Sequence, residues 1–108
     1  MKLALDIFPE TLTSSVKRII DDHDVDTVIS CEDNGMAIGL AYDLNLDLVI
    51  VNKDDEKDGE YAATRAMEAI LDSCDAIALF RSGETKARYS LWKELIRNTP
   101  RGVIFIDE

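Results

Sequence analysis

A chain of 108 residues is long enough for one domain with a single core and too short for two, and a 46% hydrophobic content fits a globular protein. No apolar run approaches the ~20 residues a membrane helix needs, and no membrane partner is expected. The formal net charge of −10 argues against general nucleic-acid binding, because an acidic body repels a phosphate backbone.

The first predicted element is a strand at Lys2-Leu3-Ala4-Leu5-Asp6; the acid arrives too early for a signal peptide, and a cytoplasmic setting is expected. Pro9 closes it in a turn, and Leu12, Val16, Ile19 and Ile20 then recur at helical spacing to about Asp22. A break at His23-Asp24 leads to a second strand within Val25–Ser30. The loop Ser30-Cys31-Glu32-Asp33-Asn34-Gly35 follows, with Asp33 or Asn34 able to cap a helix that buries Met36, Ala37, Leu40, Ala41 and Leu44. Asn45 is the expected stop, and Leu46–Val51 is a third, β-branched strand.

Residues 52–59 read as a solvated charged loop without the ligand spacing of a calcium loop, so no metal is expected. A helix over Glu60–Ser73 buries Ala63, Ala66, Met67, Ile70 and Leu71. A fourth strand, Ala76–Phe80, is apolar throughout and short, as a strand buried on both faces should be. The last helix runs from about Thr85 to Asn98 with Ala87, Leu91, Leu95 and Ile96 inward and Trp92 near that face. Pro100-Arg101-Gly102 ends it, and Val103–Ile106 is a fifth strand.

Strict strand–helix alternation with helix-length crossovers predicts an α/β fold: a single three-layer Rossmann-like domain over residues 1–108, with a five-stranded parallel sheet and helices on both faces. In such folds ligands sit where strands run into helices. The turn Arg81-Ser82-Gly83-Glu84-Thr85-Lys86 offers backbone N–H groups, a helix N-terminus and a guanidinium together, which suits a phosphate. The charge distribution agrees: residues 1–80 carry 18 acids against 6 bases, whereas residues 81–108 carry 4 acids against 6 bases. Arg65, in the first two turns of its helix, is expected to reach toward the same strand ends. Cys31 and Cys74 lack zinc-ligand spacing, and Cys74 reads as a small buried hydrophobe.

Over most of its length the chain resembles the SLOG superfamily of small Rossmann-like nucleotide-related binding domains. Val25–Tyr42 is similar to that family's strand, glycine-rich loop and Ala-rich helix. Gly59–Phe80 is similar to the segment in which a Gly-x-x-x-x-x-Arg helix leads through Asp-Ala into a buried strand, and Ser82–Lys86 to the Gly-Thr turn. The departures are specific. Cys31 and Glu32 replace two glycines, Ala37 replaces Asp, Ala66 replaces Asn, and Ile7-Phe8-Pro9 replaces Gly-Ser-Arg. Arg88 stands where phosphoribohydrolase members place their Glu.

The resemblance therefore implies the fold and a ligand pocket walled by Cys31, Asn34, Gly35, Arg65, Arg81, Ser82, Gly83, Thr85 and Lys86, with no catalytic residue assigned and no cofactor. The expected function is binding of a nucleotide-derived, phosphate-bearing molecule. The alternatives are an acidic protein-interaction or inhibitor module, of the kind a virus or mobile element carries, and an N-glycosidic-bond hydrolase of nucleotides. The hydrolase would need a carboxylate at the ribose, for which Glu84 and Glu32 are the only acids in the site loops. Tyr89, Leu91, Trp92, Leu95 and Ile96 wrap more than one face of the last helix, which points to a homodimer through it, although Trp92 could equally cover the sheet edge.

Overall fold

Side chains alternate across a strand with period 2, and here that alternation divides the core in two. A computed structural model describes residues 1–7, 11, 13–80 and 86–107, the side chains of Lys86 and Asp107 aside. Its five strands are β1 (Lys2–Asp6), β2 (Thr27–Cys31), β3 (Asp47–Val51), β4 (Ala76–Leu79) and β5 (Ile104–Asp107). Leu3, Leu5, Val28, Ala76 and Ala78 face one half of the core; Ala4, Ile29, Ile77 and Leu79 face the other.

The first half is filled by Val16, Ile19 and Ile20 of α1 (Thr13–Asp22) and by Ala37, Leu40 and Ala41 of α2 (Gly35–Asp43). The second is filled by Met67, Ile70 and Leu71 of α4 (Ala62–Ser73) and by Trp92 of α5 (Lys86–Asn98). The sheet is parallel throughout, in the order β3-β2-β1-β4-β5, and so the expected three-layer α/β fold is the observed one. No helix among the described residues is long and apolar enough to cross a membrane.

Local chemistry sets the element ends. Asp24 (φ 52°) and Asn45 (φ 55°) sit in the left-handed region after α1 and α2. In each case the next N–H reaches back five residues, Val25 to Ile20 and Leu46 to Ala41, so both helices close in Schellman turns built on short polar residues. At the amino end of the sheet the Asp75 carboxylate accepts from Lys2 N–H at 2.8 Å, and its backbone joins β1 to β5.

The structure corrects four expectations. Residues 52–59 are not simply a loop: Asp54 accepts from Lys57 N–H and caps a one-turn helix, α3 (Asp55–Asp58), followed by a 3₁₀ turn over Gly59–Tyr61. Met36 is exposed at the start of α2. Ala62, not Ala63, takes the first buried position of α4. On α5 it is Trp92 that is buried, at 2% exposure, while Ala87 is exposed. Tyr89, Leu91, Leu95 and Ile96 are partly buried and pack against the same half of the core as Trp92.

Candidate functional site

The strand order reverses between β1 and β4: the chain leaves β1 for β2 on one side and β4 for β5 on the other. That divergence opens a crevice at the carboxyl ends of the two strands, where open α/β sheets bind ligands.

Asp6, the last residue of β1, lies at this point and is 4% exposed. A carboxylate so placed must be paired, and four donors meet it. Arg88 approaches bidentately, Nε to Oδ2 at 2.7 Å and Nη2 to Oδ1 at 3.1 Å. Trp92 donates its indole N–H to Oδ2 at 2.6 Å, and Asn34 donates Nδ2–H to Oδ1 at 3.2 Å. Arg88 and Trp92 are four residues apart on α5 and therefore share a face. Asn34 is the N-cap of α2, its side-chain oxygen accepting from Ala37 N–H at 3.1 Å, which also fixes which way its amide points. One carboxylate thus joins β1 to the starts of α2 and α5.

A second set of contacts joins the next two connections. Lys53, just past β3, pairs through Nζ with Asp33 at 2.9 Å, and its backbone N–H donates to Glu32 Oε1 at 2.9 Å. The hydrogen bond from Lys53 holds the Asp33 carboxyl below its ordinary pKa, and Asp33 in turn raises that of Lys53. Cys31, half-buried at the end of β2, has its thiol pKa raised by burial; Cys74, wholly buried, is pushed up to about 11 for the same reason. Neither thiol is activated as a nucleophile.

These residues border two spaces that share Asp6, Asp33 and Arg88. On the α4 side is a cavity of about 30 Å³, floored by Ala4, Ala66, Met67 and Ile70 and rimmed by Cys31 and Lys53. On the α2 side is an open groove of about 280 Å³ that adds Ile7, Asn34, Gly35 and Met36. The cavity exists because α4 presents alanine where it crosses the strand ends; its present volume holds roughly two waters. Among the described residues no group of three or more His, Cys, Asp or Glu could hold a metal ion.

Of the residues expected from sequence, Cys31, Asn34 and Gly35 come together here, and Lys86 opens α5. Arg81, Ser82, Gly83 and Thr85 lie outside the described residues, in the connection from β4 to α5. Arg65 stands apart: it pairs with Glu68 at 3.2 Å and lines a different groove with Asn52, Asp54, Lys57 and Asp58. Sequence reasoning missed Asp6, Asp33, Lys53 and Trp92 as site residues. It also knew Arg88 only as the residue in place of a catalytic Glu. The available signal was a cation and an indole at i, i+4 on the inward stripe of the last helix, a pairing that needs a buried acceptor. No family model, no curated protein and no solved structure matches the chain.

Proposed function

We propose that this is a non-catalytic, SLOG-type binding domain for a nucleotide-derived, phosphate-bearing ligand seated at the carboxyl ends of β1 and β4. The observation that carries the reading is the coincidence of the strand-order reversal with an alanine-floored cavity and an adjoining open groove, both rimmed by polar side chains. Apolar walls with a few convergent polar groups are what small-molecule sites are made of. In this reading Arg81, Ser82, Gly83, Thr85 and Lys86 hold the phosphate, and the ring of the ligand lies in the open groove beside Asn34 and Met36.

Charge decides how an anion is accommodated. Asp6, Glu32 and Asp33 face Arg88 and Lys53, so the described rim has no surplus cation, and Arg88 is held by the buried Asp6. Lys53 is the cation that can change partner, because its Asp33 contact lies at the surface, where an ion pair is worth at most ~1 kcal/mol. A phosphate that draws Lys53 away from Asp33 also unclasps the cavity mouth. A helix N-terminus alone contributes roughly 0.3–1 kcal/mol, so Arg81 supplies the fork that gives useful affinity.

Binding is favoured over N-glycosidic cleavage because Asp6, the carboxylate at the strand-order reversal, is engaged by four donors and Glu32 by a backbone N–H. Two free thiols fit a cytoplasmic setting. The net charge of −10 favours a second reading, an acidic module for a basic protein partner, whose binding would weaken steeply with salt. A thermal-shift screen against AMP, ADP, ADP-ribose, NAD and cyclic nucleotides separates the two. One of these ligands should raise the melting temperature by several degrees, and Arg81→Ala and Lys53→Ala should each remove most of that rise. A cooperative melt that none of them moves would instead support the partner module.

A further inference from the structure

The sheet ends at β3, and this edge is unusually apolar for a strand with one open side. Val49 is 40% exposed and Ile50 45% exposed, and between Asp47 and Asn52 the strand is Leu48-Val49-Ile50-Val51, with no charge, proline or glycine to discourage pairing. The open hydrogen-bonding groups can be named. Asp47 N–H donates to Asp26 and Val51 O accepts from Glu32 N–H, so residues 47, 49 and 51 turn their backbone groups toward β2. By the alternation of a ladder, Leu48 and Ile50 turn theirs outward, off the sheet.

We infer that β3 is the interface of a homodimer, pairing antiparallel with β3 of a second copy about a two-fold axis at Val49. In that register Leu48 and Ile50 of one copy exchange both hydrogen bonds with Ile50 and Leu48 of the other, so all four outward-facing residues are satisfied. Val49 meets Val49 as the non-hydrogen-bonded central pair, and each Asp47 lies opposite a Val51. The charges are self-compatible: the two Asp47 positions fall about four residues apart along the strands, ~14 Å, beyond the ~8 Å over which exposed like charges repel at physiological salt. The strand is thus complementary to itself in hydrogen bonding and brings no like charges face to face, and the occupant is a second copy of the chain.

The result is a continuous ten-stranded sheet. Because the strands run antiparallel across the two-fold axis, the two crevices open on opposite edges, so ligand binding and dimerisation are independent of each other. This inference stands apart from the proposed function.

Sedimentation equilibrium across the micromolar range, with protein carrying Val49→Lys or Val49→Cys, tests it. The expected wild-type mass at the upper end is twice that of the chain. Val49→Lys sets like charges face to face on the axis and should weaken association by at least tenfold, with an unchanged melting temperature at concentrations where both proteins are monomeric. Val49→Cys should form a covalent dimer on mild oxidation, since the central pair has Cα atoms about 4.5 Å apart, within disulfide reach. Arg97→Cys, exposed on α5 beside the opposite edge strand β5, should not. A monomer at every concentration, a dimer that Val49→Lys leaves intact, or cross-linking at position 97 but not 49 would each overturn the inference. Should Val49→Lys fail to fold, the two cysteine variants decide.

Discussion

Asp6→Ala is expected to lower the free energy of unfolding by about 3–4 kcal/mol, with a drop in melting temperature well over ~10 °C for a domain of this size. Removing one partner of a buried ion pair leaves the other without compensation, which typically costs 3–5 kcal/mol. Arg88 is one-third exposed, so water recovers part of that loss and the lower half of the range applies. The Trp92 indole N–H has no such recourse: it is buried, its partner is Asp6 Oδ2 at 2.6 Å, and an orphaned buried donor costs about 1–3 kcal/mol. Asp6→Asn keeps the shape but turns an amide NH₂ toward donors, so it should fall between wild type and Asp6→Ala. Urea unfolding with a common slope measures all three. A loss below about 1 kcal/mol for Asp6→Ala would show that Asp6 is no latch between β1 and the starts of α2 and α5.

Trp92→Ala should be similarly severe, near 4 kcal/mol, because it empties a large side chain from the half of the core under α4 and α5 and also removes a donor from Asp6. Trp92→Phe keeps most of the packing and should lose roughly 2 kcal/mol, the worth of a hydrogen bond to a charged acceptor plus a small void. The sharper result is the combination. Asp6 and Trp92 share one contact, so Asp6→Ala/Trp92→Phe should destabilise by clearly less than the sum of the single changes, with a coupling of about 1 kcal/mol or more. Strict additivity would contradict the indole–carboxylate bond.

Much of this architecture is legible in the sequence because it follows from short-range periodicity. The short, unbroken apolar runs Leu3-Ala4-Leu5 and Ala76-Ile77-Ala78-Leu79, and helical spacing in Val16-Ile19-Ile20, lead directly to a parallel sheet with helices on both faces. The caps at Asn34 and the stop at Asn45 are equally local. The latch is not. Asp6 meets Arg88 and Trp92 across 82 and 86 residues, and nothing near Asp6 distinguishes it from an acid that merely ends a strand. Arg65 illustrates the opposite error. Its position in the chain points to the site, but the helix that buries Ala62, Ala66 and Ile70 turns position 65 outward to Glu68. Lys53 was hidden in a run of charges whose pairing depends on β2 and β3 lying side by side.

The central claim, a live ligand site at the junction of β1 and β4, is tested most directly by mapping amide and indole NMR shifts during titration with the nucleotide that gives the largest thermal shift. Saturable changes are expected only at Asp6, Cys31 to Gly35, Lys53, residues 81 to 88 and the Trp92 indole N–H. Saturable changes centred elsewhere, or none with any nucleotide at millimolar concentration, would contradict it.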